Sequence, residues 1–186
     1  LNVEINYTNT LLIFFIYSLF HYSLSLPGSI ILYASSGYFF GLYIGFLTSI
    51  ISLTLGSLFF FIFSAYLLKK IFPNKYDNYL KNINNYFKNS SFEYLILLRI
   101  IPGPPLIMQN LFLSILNIKK KLFFLTTILG FLPIVFVSVY FGNQLNNFDL
   151  LKSISFIDIF SLEFIIFISF ILLLIFFRVI YKKKKN

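Results

Sequence analysis

No cysteine occurs in these 186 residues, there is a single histidine, and only six residues are acidic. Without cysteine there is no disulfide framework, thiol nucleophile or thiolate metal site, and one imidazole cannot build a histidine cluster. The shortage of acid removes the buried carboxylate pair expected of a proton-coupled pump. Soluble-enzyme motifs are missing too: there is no HExxH, no P-loop, no GxSxG and no GxGxxG before a helix. Intramembrane hydrolysis needs a nucleophile paired with a base, and His21 is the one imidazole on offer. The chain therefore reads as a non-enzyme with no cofactor and no metal.

What is present is hydrophobic. Apolar residues make up 59% of the chain and charged residues 11%, with a mean hydropathy of +0.87, far from the profile of a soluble domain. The formal net charge of +9 suggests nucleic acid at first sight. Its lysines, however, sit at the ends of apolar runs (Lys69, Lys70; Lys119 to Lys121; Lys182 to Lys185), which is the mark of membrane topology, so no nucleic-acid partner is expected. The fold class expected is all-α, a polytopic integral membrane protein. The run from Leu11 to Leu26 lacks a basic leader and a small-residue cleavage site, and reads as a retained helix rather than a signal peptide.

Residues 26 to 68 form an uncharged run that as one straight helix would be roughly 65 Å long, against a hydrocarbon core of about 30 Å. It must fold back or break. Pro27-Gly28 and the small cluster Ala34, Ser35, Ser36, Gly37 are the predicted break points, leaving 38 to 68 as a long crossing. Residues 69 to 93 are polar and basic, with Tyr76, Tyr79, Leu80, Ile83, Tyr86 and Phe87 at helical spacing. They predict an amphipathic helix at the interface. Residues 94 to 118 are apolar again but contain Arg99 and Pro102-Gly103-Pro104-Pro105. Proline removes a backbone donor and lipid cannot satisfy the freed carbonyls, so this stretch cannot cross as a straight helix. A clean span, 122 to 141, follows, then a polar connector (142 to 159), a last span (160 to 181) and the basic tail (182 to 186).

Charge placement fixes an orientation. If both Pro-Gly segments dip in and return on the side they entered, the first from outside and the second from inside, twelve lysines are cytoplasmic and Lys152 alone is external. The linker 69–93 and the tail are then cytoplasmic, in what reads as a bacterial plasma membrane. Pro27-Gly28 precedes Gly56 much as Pro102-Gly103 precedes Gly130. The chain thus reads as one membrane domain (1–186) built from half-repeats at 11–68 and 94–142, with re-entrant segments near 27–37 and 94–118. The halves have inverted topology, two opposed re-entrant segments and about four full transmembrane helices, an architecture common among transporters.

Arg99 is the sharpest candidate for function. Its planar fork of donors suits phosphate or carboxylate, and amides freed at the Pro102-Gly103 break favour anions as well. The competing reading is a structural arginine that snorkels or binds freed carbonyls. Gln109 and Asn110 can donate and accept at depth, either to substrate or between helices. Gly37, Gly41 and Gly45, extended by Ser49, Ser52 and Gly56, form a small-residue stripe read as a packing face, with homodimerisation as the alternative. Gly130 and Pro133 belong to the same packing set. His21 reads as an isolated interfacial histidine, and Glu93 as a salt-bridge partner of Arg99 only if the chain bends between them.

The pattern Arg99-xx-Pro102-xx-Pro105-xxxx-Asn110, then Gly130-xx-Pro133 and Tyr140-x-Gly142, resembles the second half of the DedA/VTT superfamily, particularly its SNARE-associated Golgi protein-like branch. Pro27, Gly37-xx-Phe40-Gly41-xxx-Gly45, Gly56 and Phe61 are similar to that family's other signature, so the resemblance covers about residues 26 to 142. It implies two facing re-entrant segments and the transport or scrambling of phospholipids or polyprenyl phosphates, with Arg99 in place of the arginine before the re-entrant proline. Two departures stand out. Pro104-Pro105 replaces a second arginine often found after Pro-Gly, and Ser25 to Ser29 hold none of the acidic residues often found at the first segment. These weigh against a two-arginine clamp and against proton coupling.

The expected function is a lipid translocase or scramblase, with Arg99, Pro102, Gly103, Pro105, Asn110, Pro27 and Gly28 lining the path and phosphate-headgroup lipids as partners. The alternatives are a secondary transporter for ions or small solutes, and a non-transporting membrane organiser that binds anionic lipid through residues 74 to 88 and its lysine tail.

Overall fold

Proline and glycine decide where the helices stop. The structure, a computed structural model, describes residues 6–71, 92–100, 104–116 and 118–147. All of these except Asn147 lie in the compact unit Leu1–Asn146. The amphipathic linker helix expected from Tyr76 to Phe87, together with Pro102, Gly103, the last span and the lysine tail, falls outside the described residues. Every described element is helical.

Helix α1, Tyr7–Ser23, is closed by two reversed backbone bonds, Ser25 N–H to the Tyr22 carbonyl (3.0 Å) and Leu26 N–H to the His21 carbonyl (3.2 Å). This is the Schellman arrangement, whose left-handed position is usually glycine. Here it is Ser25, at φ 51. Pro27 and Gly28 (φ 94) then turn the chain into α2, Ser29–Ile71.

Within α2 the chain reverses at Gly41, whose φ of 76 and ψ of 178 belong to a region open almost only to glycine. Ser36 Oγ lies 2.7 Å from Ser49 Oγ and 3.1 Å from the Gly45 carbonyl oxygen. A straight helix would hold Ser36 and Ser49 about 20 Å apart, so the arm 29–40 folds back along the arm 42–71. This corrects the break expected at Ala34 to Gly37. Those four residues stay helical, and their small size serves close approach: a Cβ on Gly37 would run into the Val139 carbonyl, and one on Gly142 into the Ala34 carbonyl. It also corrects the single glycine stripe. Gly41 is the turn, while Gly37 and Gly45 lie on opposite arms, where a Cβ on Gly45 would sit 2.6 Å from the Ser36 carbonyl oxygen. The faces of Gly37, Gly45 and Gly56 are filled from within the chain.

The second half repeats this plan. Helix α3, Phe92–Ile100, leads to the proline break, α4, Leu106–Ile115, starts directly after Pro105, and α5, Lys120–Asn147, runs unbroken through Pro133 and past the expected end at 141. Two pairs that play the same part stand 77 residues apart: Ser29 and Leu106 open the short helices, and Tyr22 and Arg99 face the glycines Gly56 and Gly130 of the long ones. A Cβ on Gly56 would meet Tyr22 Cβ and the Leu19 carbonyl, each at 2.7 Å; one on Gly130 would meet Arg99 Cβ and the Ile96 carbonyl. The expected register, which set Pro27-Gly28 against Pro102-Gly103, is two residues short of this.

The short arms cross over. Arm 29–40 lies on α5 at Val139 to Asn143, and α4 joins a core of Phe61, Leu95, Leu113, Leu116 and Phe123 that includes the long arm of α2. Phe61 and Phe123 stack there at 4.3 Å. Two helices, Ser29–Ile71 and Lys120–Leu145, are long and apolar enough to cross a membrane by length and composition. With the reversal at Gly41, the crossing length of the first is the arm 42–71, about 45 Å.

Candidate anion site between the two halves

Arg99 is the largest of the fully buried side chains, at 2% exposure. Gly130 is what lets α3 approach α5 closely enough to place it there. The guanidinium donates from Nη1 to Asn110 Oδ1 (2.7 Å) and from Nη2 to Thr127 Oγ1 (3.2 Å). Its plane is flanked by the rings of Phe123 (4.8 Å) and Phe131 (5.2 Å). Thr127 is free to accept because its own hydroxyl donates back along α5 to the Phe123 carbonyl, at 2.7 Å. Since arginine can only donate, Asn110 must turn its carbonyl oxygen to Arg99, which aims its NH2 at Ser25 Oγ, 2.9 Å away and 85 residues back in sequence. Four side chains thus form one chain of bonds, Ser25–Asn110–Arg99–Thr127, running from the end of α1 to α5.

Every described partner of Arg99 is neutral, and its Nε–H has none. Burying a guanidinium costs several kcal/mol even after relaxation. Two hydrogen bonds from the charged group at about 1.5–3 kcal/mol each, with ring contacts worth about 2 kcal/mol when desolvated, offset much of that but bring no counter-charge from the described residues. A guanidinium fork is shaped to take two oxygens of an anion. Among the described residues the acceptors of Arg99 are side chains, and it is buried rather than extended out of the protein.

The other expected residues are distributed as follows. Asn110 sits in the site and is fully buried, whereas its neighbour Gln109 reaches back from Nε2 to the Pro104 carbonyl (3.0 Å), with Oε1 buried and unpartnered. Pro105 precedes α4 and is exposed, as are Pro27 and Gly28 at the other break. The Glu93 side chain lies outside what is described. His21 is 8% exposed, with the rings of Tyr17 (6.4 Å) and Tyr22 (5.4 Å) beside it. Ser25, Thr127, Phe123 and Phe131 were not singled out from sequence. Ser25 had one available signal, a non-glycine residue where the end of α1 calls for glycine; the others are ordinary residues of an apolar helix.

Comparison with known proteins places this geometry. A family model described as the VTT domain matches residues 26–144. A transmembrane protein 41 homolog of Dictyostelium discoideum is 31% identical over 146 residues, 76% of this chain and 43% of the relative. Transmembrane protein 41B of Danio rerio is 29% identical over 75% of the chain and 50% of its own length, and an uncharacterized membrane protein of Arabidopsis thaliana 26% over 73% and 48%. The chain thus spans about half the length of these relatives. No solved structure matches it. The matched region contains both proline breaks, both packing glycines and three of the four residues of the Arg99 bond chain, with Ser25 immediately before it, and the chain belongs to the VTT-domain family of membrane proteins.

Proposed function

We propose that this chain moves lipids with phosphate headgroups across a bilayer, without catalysing a reaction. The observation that carries the reading is Arg99: a cation fully buried at the meeting of the two halves, held by neutral partners among the described residues and with its Nε unpartnered. In this reading the short arms, 29–40 and α4, are re-entrant segments dipping from opposite faces. They shorten the apolar path so that a headgroup passes by way of Arg99 while its acyl chains remain in lipid. The positive-inside distribution supports a cytoplasmic linker and tail. Because the chain has no cysteine, single cysteines at Lys75 and Lys152 report that orientation directly through labelling by impermeant thiol reagents, Lys75→Cys from the inside and Lys152→Cys from the outside.

The decisive experiment is reconstitution of the purified chain in vesicles carrying labelled phosphatidylglycerol, phosphatidylserine or a polyprenyl phosphate in one leaflet. Exchange is expected with the wild type and not with Arg99→Ala. Wild-type exchange no faster than in protein-free vesicles, for every headgroup, would sink the proposal.

A further inference from the structure

We infer that Asn110 is an exchangeable stand-in ligand for Arg99, and that Ser25 is the positioning residue that holds it in the resting orientation. This rests on the reading of Arg99 as a phosphate site and says how that site is kept closed when empty.

Three observations converge on it. Asn110 Oδ1 and Thr127 Oγ1 sit on the two terminal nitrogens of Arg99, the positions that two oxygens of a phosphate would take. The Asn110 amide is fully buried and both of its ends are engaged, one by Arg99 and one by Ser25, so it cannot leave Arg99 without disturbing the bond to Ser25. Finally, Ser25 occupies a left-handed backbone position where glycine is the easier choice, and its hydroxyl, 2% exposed, accepts from Asn110. Serine at that position is explained by what its hydroxyl holds.

The exchange follows from the relative strength of the bonds. A phosphate brings a full negative charge and two oxygens to the fork where the amide brings one oxygen with a partial charge, so it displaces Asn110 Oδ1. The displaced amide swings away and its bond to Ser25 is lost. Anion binding in the second half thereby releases the end of α1 in the first, which couples site occupancy to separation of the halves. No covalent step is involved.

The test titrates the detergent-solubilised full chain with dioctanoyl phosphatidylglycerol, farnesyl phosphate and inorganic phosphate, and measures Kd and Tm. Ser25→Ala removes the competing bond, so binding should tighten about threefold to tenfold, the value of one neutral hydrogen bond. Ser25→Gly should tighten it similarly while raising Tm, because the left-handed position is relieved. A merely structural Ser25 would weaken binding in Ser25→Ala. Asn110→Asp turns the stand-in into a fixed counter-ion: the protein should keep or raise its Tm and bind none of the three probes. Unchanged or weaker binding in both Ser25 variants, or wild-type binding by Asn110→Asp, overturns the exchange. Should Asn110→Asp fail to fold, the two Ser25 variants decide. Arg99→Ala separates the levels: if it abolishes binding while Ser25→Ala changes nothing, the phosphate site stands and the exchange falls; if it binds like wild type, the phosphate reading itself falls. Tightening for all three probes assigns the exchange to the phosphate group, and tightening for the two lipids alone assigns it to a lipid headgroup; both support it.

Discussion

The two halves follow one plan and differ in what they place at its centre. Where the second half sets Arg99 against Gly130 and bonds it to Asn110, the first sets Tyr22 against Gly56 and stacks it on Tyr33, 5.8 Å between ring centroids. Tyr33 and Asn110, like Tyr22 and Arg99, stand 77 residues apart. Both tyrosines are buried, at 1% and 2% exposure. The slot beside the glycine is therefore satisfied by an uncharged ring that carries little desolvation penalty. Packing does not require an arginine there. Its presence in one half only, at the cost of burying a charge, is what the proposed phosphate site would account for.

The largest effect expected on this contrast comes from exchanging the charge for bulk. Arg99→Ala should reduce lipid exchange in reconstituted vesicles to the protein-free level, and Arg99→Lys should lose at least tenfold, because the two-pronged fork is replaced by a point charge. Tyr22→Leu, its counterpart, should lower Tm while leaving exchange per folded molecule within about twofold. Equal losses of exchange from Tyr22→Leu and Arg99→Ala would mean that both slots serve the fold alone.

A smaller effect separates the glycines. Gly56→Ala places a methyl group 2.7 Å from the Leu19 carbonyl and Tyr22 Cβ, and should cost stability of about 1–3 kcal/mol, as overpacking does. Gly130→Ala should cost a similar amount, but its methyl group meets Arg99 itself and pushes the guanidinium off Asn110 and Thr127. Exchange should then fall further than the Tm shift accounts for in Gly130→Ala and in proportion to it in Gly56→Ala. Matching behaviour in the two variants would erase the functional difference between the halves.

Much of this contrast was visible in the residues. Apolar run lengths require a membrane fold, two proline breaks interrupt those runs, and an arginine beside one of them stands out because charge is so costly there. What could not be read has identifiable causes. Ala34 to Gly37 and Gly41 look alike as small residues, yet the former serve close helix contact and only Gly41 adopts a conformation closed to other residues; composition does not separate these two uses. The Pro-Gly pairs stand 75 residues apart, the helix starts Ser29 and Leu106 77 apart and the packing glycines Gly56 and Gly130 74 apart, so no single offset relates the halves and composition alone does not set their register. Ser25 and Thr127 belong to the site through bonds spanning 85 and 28 residues, which no local pattern encodes.

The smallest expected effect tests whether Thr127 is part of the site or only near it. In the offset between the packing glycines, Thr127 stands three residues before Gly130, as Leu53 stands three before Gly56, and both are fully buried. The first half thus fills this position with a purely apolar side chain. Thr127→Val keeps the shape and removes the acceptor from Arg99 Nη2, a 3.2 Å bond longer than the one to Asn110. In the empty protein that leaves a second nitrogen of the buried cation, Nη2 beside Nε, without the partner it had, a cost of about 1–3 kcal/mol in stability. With phosphate bound, the donor is satisfied by the anion and the cost disappears. Thr127→Val should therefore lower Tm without lipid and recover most of the loss in saturating dioctanoyl phosphatidylglycerol, which a defect of packing alone would not do.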